Sequence, residues 1–193
     1  MKHELEIEFK NILTQQEYTQ LVSAFSLDTD SFNIQENHYF DTKTFTLKDK
    51  GSALRIRSKN EKYVLTLKQP AEVGLLESHQ LLSKDEALSI ISGELFINGE
   101  MVDLIKKLGV NPQELRYFGS LKTMRSEVIY KEGTLVLDHS YYLDIEDYEV
   151  EYEVADHNKG HEDFQELLNK FNIPLRKTNN KIQRFYLASQ QRN

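Results

Sequence analysis

Two stretches of the chain alternate strictly between charged and apolar residues, which restricts them to one kind of local structure. In residues 3–10 every second side chain is charged, and Leu, Ile or Phe lies between the charges. In residues 148–154, Glu149, Glu151 and Glu153 alternate with Tyr and Val. Successive side chains of a β-strand point to opposite faces, so the alternation predicts strands with one charged and one apolar face.

Other segments extend this pattern to an α+β fold. Strands are predicted at residues 3–10, 37–42, 52–57, 62–68, 75–82, 121–131, 134–139 and 148–154. Helices are predicted at residues 14–25, 83–93, 102–109, 163–171 and 178–188. Thr14 with Glu17, and Ser83 with Glu86, have the spacing of a capping box, and Thr178 is the predicted N-cap of the last helix. Short turns join most consecutive strands, so the sheet is predicted to be largely antiparallel.

The composition excludes several classes of function. Asp and Glu (31) outnumber Lys and Arg (24) for a formal net charge of −7, whereas a general nucleic-acid binder needs a basic surface. The absence of Cys excludes disulfides, Cys nucleophiles, zinc ribbons and iron–sulfur clusters. No G-x-x-x-x-G-K-[ST] motif occurs, which excludes a P-loop enzyme. Without a long apolar run or a signal segment, we expect a cytoplasmic protein with no membrane partner.

The polar faces of the predicted strands carry charges that are segregated by sign. Glu residues follow one another on the first and last strands, whereas Arg55 with Arg57, and Lys62 with Lys68, lie on two strands between them. Rows of Glu suit a hard divalent cation, and rows of Arg and Lys suit a polyphosphate. For any single strand the alternative is an ordinary solvated face, and periodicity alone does not separate an open sheet from a closed barrel.

One charged segment resembles a family signature. Glu6-Ile7-Glu8-Phe9-Lys10 is similar to the E-x-E-x-K motif of the CYTH superfamily, also called triphosphate tunnel metalloenzymes. Further segments resemble that family's motifs in the same order: Tyr39-Phe40-Asp41-Thr42, Leu54-Arg55-Ile56-Arg57, Leu65-Thr66-Leu67-Lys68, Arg125, Leu135-Val136-Leu137-Asp138 and Glu149-Val150-Glu151. By this resemblance the chain is identified as a bacterial single-domain member, with one domain over residues 1–193.

The resemblance implies a fold, a cofactor and a set of binding residues. The implied fold is a closed antiparallel eight-stranded β-barrel that forms a charged tunnel, with peripheral helices. The implied ligands are Mg²⁺ or Mn²⁺ and a small-molecule triphosphate. The implied metal ligands are Glu6, Glu8, Glu149 and Glu151. The implied phosphate-binding residues are Lys10, Arg55, Arg57, Lys68, Arg125 and Lys181, with Lys181 preferred to Lys177 because it lies on a predicted helix.

The resemblance also implies catalytic roles for acidic residues. Glu77 and Asp138 are expected to line the tunnel, where they would orient water or hold a second metal ion. The implied catalytic set is Glu6, Glu8, Lys10, Glu77 and Asp138. Glu4 and Glu153 are expected at the tunnel mouth without a specific role.

Three functions fit these predictions. The first is a metal-dependent phosphohydrolase that releases phosphate from inorganic, nucleoside or thiamine triphosphate. The second is a class IV-type adenylyl cyclase, and the third is a binder of polyphosphate or a phospho-metabolite without catalysis. The organic part of the substrate and the choice between monomer and homodimer stay open.

The histidines are expected to be structural. His157 and His161 have a possible metal-ligand spacing, but Asn158 and Gly160 weaken any helix there and no third ligand is evident. The other four, His3, His38, His79 and His139, are isolated in the sequence and are predicted to be surface or strand residues.

Overall fold

A computed structural model describes residues 1–191 of the chain, and the last two residues of the predicted 1–193 domain lie outside this range. The described residues form eight β-strands: β1 Lys2–Leu13, β2 Asn33–Asp41, β3 Ala53–Lys59, β4 Lys62–Pro70, β5 Leu75–Leu82, β6 Arg116–Tyr130, β7 Gly133–Tyr142 and β8 Ile145–Val154. They also form six α-helices: α1 Gln15–Ala24, α2 Thr46–Asp49, α3 Lys84–Ser92, α4 Glu100–Lys107, α5 His157–Lys170 and α6 Lys181–Gln190.

The strands close into an antiparallel barrel. Around the ring their order is β1, β5, β4, β3, β2, β6, β7, β8. The predicted α+β fold with a closed eight-stranded barrel and peripheral helices is therefore confirmed. Within the part of the chain that is described, no helix is both long and apolar enough to cross a membrane.

Tight hairpins connect several neighbours in the ring. The β3–β4 turn consists of Asn60 and Glu61, both in the left-handed region (φ 49° and 59°), and is two residues shorter than the predicted turn. Leu143 and Asp144 form the β7–β8 turn in the same way (φ 49° and 61°). Such left-handed two-residue turns match the twist of the flanking strands, so they fix the pairing register.

The chain divides into two compact units. The first unit contains residues 1–5 and 35–121, and the second contains residues 6–34 and the chain from Lys122 onward. In the first unit, the apolar faces of β2, β3 and β4 pack against the helices that follow them. This core contains Phe40, Leu47, Leu54, Ile56, Leu65, Leu67, Ala87, Ile90, Met101 and Ile105. Leu54, Ile56, Leu65 and Leu67 occupy the strand face opposite the predicted charged positions.

The second unit has a core of the same design. Apolar side chains of β1, β7 and β8 pack against α1 and α5. The core contains Leu13, Tyr18, Leu21, Leu135, Leu137, Tyr148, Val150, Tyr152, Phe164, Leu167 and Leu168. On β8 the buried Tyr and Val therefore face the helices, and the Glu residues between them point to the opposite face.

The helices agree with the sequence in their capping boxes but differ at other ends: the helix predicted at residues 102–109 spans Glu100–Lys107, and α2 is not predicted. Both predicted capping boxes are present, at the starts of α1 and α3. The last helix begins at Lys181 with Asn180 as its N-cap, because the Thr178 hydroxyl instead accepts a hydrogen bond from Ile12 N. The fifth helix begins at His157, six residues earlier than predicted, because Asp156 caps it.

Candidate functional site

Three carboxylates converge on the polar face of the second unit. Asp138 of β7 lies opposite Glu149 of β8 in the strand register, and Glu151 follows two residues later on the same face. One oxygen from each of the three lies within 4.8 Å of the others. The exposed fractions of these residues are 0%, 1% and 5%, so we call them the buried carboxylate cluster.

Two cations neutralise much of the charge in this cluster. The Lys181 ammonium of α6 lies 2.8 Å from Asp138 Oδ2 and 2.5 Å from Glu151 Oε1, and it also contacts Glu149 Oε1. The Arg125 guanidinium of β6 donates two hydrogen bonds to Asp138 (2.7 and 2.8 Å) and one to Glu151 (2.6 Å). Buried ions need such partners because their desolvation costs several kcal/mol each.

Burial and these cations give the three carboxyl groups different pKa values. Burial raises the pKa of Glu149 to about 7, despite the opposing effect of Lys181. Burial would also raise the pKa of Glu151, but Lys181 and Arg125 outweigh it and hold that pKa well below its usual range. For Asp138, Arg125 and Lys181 likewise overcome burial and lower the pKa. The three carboxyl groups of the cluster therefore differ in pKa although they lie side by side.

A second acidic group lies where β1 pairs with β8. Oxygens of Glu6, Glu8 and Glu153 lie within 4.8 Å of one another. Lys10 forms an ion pair with Glu8, and in the register it lies opposite Glu151. The four predicted metal ligands thus lie in two groups of two. Each group also contains one further carboxylate, Glu153 here and Asp138 in the buried carboxylate cluster, and neither is among the four predicted metal ligands.

The first unit carries its own charged group on β4 and β5. Lys68 and Glu77 are register partners and form an ion pair. His79 Nε2 lies 3.3 Å from Glu77 Oε2 and 3.1 Å from Glu4 Oε1, and its Nδ1 lies 3.0 Å from Thr66 Oγ1. Glu4 and His79, for which no specific role is predicted, therefore join the predicted Glu77.

The two arginines of β3 share one strand face. In the register Arg55 lies opposite Tyr39 and Arg57 lies opposite Asn37. Arg57 Nε donates a hydrogen bond of 3.0 Å to the Asn37 side chain. The neighbouring Ile56 points into the apolar core of the first unit, so the arginines occupy the opposite face of the strand.

Two residues near the buried carboxylate cluster are absent from the predicted set. Arg184 of α6 contacts both Asp147 and Glu149 of β8. The one available sequence signal is spacing, because Arg184 follows Lys181 by three positions and therefore shares its helix face. Asp147 continues the alternation of β8 toward its start, so it lies on the same strand face as Glu149.

Comparison with known proteins identifies the family of the chain. A family model described as the CYTH domain matches residues 4–186. The chain belongs to the CYTH family. Putative triphosphatase YjbK of Bacillus subtilis (strain 168) is 52% identical to the CYTH chain over 186 residues, which cover 96% of each protein.

Solved structures resemble the CYTH chain as well. The crystal structure of a putative adenylate cyclase from Bacillus halodurans is 43% identical, with a TM-score of 0.93 over 96% of this chain and 100% of that chain. A putative adenylyl cyclase from Hippeastrum, described as having a dominant triphosphatase activity, is 24% identical, with a TM-score of 0.77 over 94% and 95% of the two chains. The latter likeness shows the fold alone.

The donor atoms of the CYTH chain fit the divalent cation that its family implies. Both acidic groups of the second unit offer carboxylate oxygens, which are the ligands that Mg²⁺ and Mn²⁺ prefer. In the buried carboxylate cluster the Lys181 ammonium contacts all three carboxylates, so these oxygens already converge on a single positive charge.

Proposed function

We propose that this CYTH protein is a divalent-metal-dependent phosphohydrolase that releases phosphate from a triphosphate-containing substrate. The observation that carries the proposal is the buried carboxylate cluster, in which Arg125 and Lys181 form ion pairs with the acidic side chains. Such a concentration of both signs of charge suits a metal ion and a polyphosphate together. The 52% identity to a relative named as a putative triphosphatase supports the same reaction class.

The basic side chains supply binding of the phosphates. In the second unit these are Lys10, Arg125 and Lys181, and in the first unit they are Arg55, Arg57 and Lys68. Phosphoryl transfer needs alignment and charge neutralisation more than a strong nucleophile, so fixed Arg and Lys donors are suited to it. Arg125 is held by Asp138 and Glu151, which orients its guanidinium before any substrate arrives.

The proposed holders of Mg²⁺ or Mn²⁺ are the predicted Glu6, Glu8, Glu149 and Glu151, with Asp138 and Glu153 completing the two acidic groups. When bound, the cation would neutralise charge on the phosphoryl oxygens and make the phosphorus more susceptible to attack. Both oxygens of Asp138 accept hydrogen bonds from Arg125, so within its acidic group we assign Asp138 to orienting the Arg125 guanidinium and the Lys181 ammonium. Glu77, paired with Lys68 in the first unit, is the proposed residue for orienting water.

Adenylyl cyclisation is the second candidate, because the Bacillus halodurans relative is named as a putative adenylate cyclase at 43% identity. Both reactions use a triphosphate and a divalent cation, so the charged residues alone fit either. The products differ: hydrolysis of ATP gives ADP and orthophosphate, whereas cyclisation gives cyclic AMP and pyrophosphate.

The test measures products from inorganic triphosphate, ATP and thiamine triphosphate with Mg²⁺ or Mn²⁺. We expect orthophosphate, and a rate that falls about 100-fold in Glu149→Gln and in Lys181→Met, because each removes a charge from the site. Glu162→Gln is the matched control, since Glu162 is exposed on α5 and should retain the wild-type rate.

Three outcomes would contradict the proposal. Cyclic AMP and pyrophosphate as the products from ATP would identify a cyclase. Binding of triphosphates without turnover at any metal would identify a binding protein. Wild-type rates in both site variants would place the reaction elsewhere in the molecule.

A further inference from the structure

Arg184 bridges two carboxylates of β8 from the C-terminal helix. Its Nε lies 2.9 Å from Asp147 Oδ2 and its Nη2 lies 3.2 Å from Asp147 Oδ1, which makes a two-oxygen fork. Its Nη1 contacts Glu149 Oε2 and donates to the Asn179 carbonyl at 2.6 Å. The guanidinium is therefore fixed at several points, and its side chain is only 13% exposed.

A tyrosine also contacts Asp147. The Tyr142 hydroxyl, at the end of β7, donates a hydrogen bond of 2.7 Å to Asp147 Oδ2. Asp147 thus accepts from Tyr142 and from Arg184, and neither contact involves the buried carboxylate cluster itself. A chain of contacts runs from Tyr142 through Asp147 and Arg184 to Glu149.

The two oxygens of Glu149 have different partners as a result. Arg184 contacts Oε2, whereas Lys181 contacts Oε1. The same Lys181 ammonium contacts one oxygen each of Asp138 and Glu151. With Oε2 held by Arg184, Oε1 is the oxygen that faces the other members of the cluster.

We propose that Arg184 is a positioning residue that aims Glu149 Oε1 at the divalent cation, with Asp147 and Tyr142 fixing Arg184 in turn. This inference rests on the proposed function, because it takes Glu149 to be a metal ligand. Outer partners of metal-binding carboxylates commonly change metal affinity by about 10- to 100-fold when they are removed.

Charge and geometry must be separated in the test, because they act in opposite directions. Removal of a cation beside a metal site strengthens attraction for the metal, whereas loss of orientation weakens binding. Arg184→Lys keeps the charge but loses the planar fork. The double variant Asp147→Asn with Arg184→Gln removes the bridge at constant net charge.

The experiment measures Mn²⁺ binding without substrate, from the electron paramagnetic resonance signal of free Mn²⁺. We expect about 10-fold weaker binding in Arg184→Lys and in the charge-neutral double variant, and a smaller loss in Tyr142→Phe. Arg176→Lys is the matched control: Arg176 also donates to both oxygens of one carboxylate, that of Glu17, away from the cluster, so Mn²⁺ affinity should not change. Circular dichroism establishes that each variant is folded.

Wild-type Mn²⁺ affinity in folded Arg184→Lys and in the double variant would overturn the inference. An equal loss in Arg176→Lys would also overturn it, since the effect would then be general to the fold. The proposed function fails separately: wild-type protein that binds Mn²⁺ but releases no phosphate from any triphosphate would refute hydrolysis and leave the role of Arg184 intact.

Discussion

Arg125 shows how a single residue keeps a buried charged site stable. Its guanidinium is enclosed, and Asp138 and Glu151 raise its pKa well above the usual range even though burial acts to lower it. The residue therefore stays charged at every physiological pH. Its removal would leave the three buried carboxylates with Lys181, and Arg184 at Glu149, as the cations in contact with them.

Arg125→Met should accordingly destabilise the fold. We expect the free energy of unfolding to fall by about 3–5 kcal/mol, because an ion pair is broken while its partners stay buried. Urea denaturation at neutral pH measures the change. Arg116→Met is the control, since Arg116 is exposed and donates to the backbone carbonyls of Gln113 and Leu115. Equal stability of the two variants would contradict the prediction.

At the scale of elements, α5 depends on a glycine for its closeness to the sheet. A Cβ at Gly160 would lie 2.5 Å from Val154 Cγ2 and 2.9 Å from Phe9 Cε2. Glycine generally destabilises a helix, so the sequence predicts that this helix starts after Gly160. Here it lies inside α5 because only hydrogen fits between the helix and the strands. The rings of His157 and His161 pack against Phe9.

The substitution Gly160→Ala should therefore destabilise the fold, although Gly→Ala usually stabilises a helix. In an open helix the change would stabilise by about 1 kcal/mol, but here overpacking should destabilise by about 1–3 kcal/mol. Asn158→Ala, in the same turn and exposed, serves as the control for helix propensity. Thermal unfolding measures both, and a higher melting temperature for Gly160→Ala would show that the contact relaxes at no cost.

The start of α1 is joined to the segment before α6 by one ion pair. Arg176 makes two hydrogen bonds of 2.8 Å to Glu17, and it also donates to the Ile12 carbonyl. The hydrogen bond from Arg176 lowers the pKa of Glu17. A carboxyl group with a depressed folded pKa stabilises the fold above its unfolded pKa, and this contribution disappears as the pH falls through the folded value.

Glu17→Gln should thus lower stability at neutral pH but not in acid. The difference in urea midpoint between wild type and Glu17→Gln is expected to shrink as the pH falls from about 6 to about 3. Glu162→Gln, which changes an exposed carboxylate of α5, should show no such convergence. A difference that is constant across this range would mean that the ion pair does not account for the lowered pKa.

At the scale of the whole molecule, the fold follows from local patterns more completely than the site does. Alternation along β1, β3, β4 and β8 predicts that the charged side chains share one face of each strand and that the apolar side chains enter the cores, because strand geometry is local. The capping boxes of α1 and α3 are equally local. The contact of His79 with Glu4 joins residues more than seventy positions apart, so no sequence spacing predicts it. Arg184 shares a helix face with Lys181 by its spacing, but its partners on β8 are more than thirty positions away and cannot be identified from that spacing.

The strict alternation on β8 has a consequence for how this gene can vary. Glu149 and Glu151 face their partners only while the count of residues along β8 is preserved. Loss or gain of one codon there would turn every following side chain to the other side of the sheet. The Glu residues would then face the helices, and Tyr152 would leave the apolar core. Length changes should therefore be absent from β8 and from the two-residue turn at Leu143-Asp144, which fixes the register of β8 with β7.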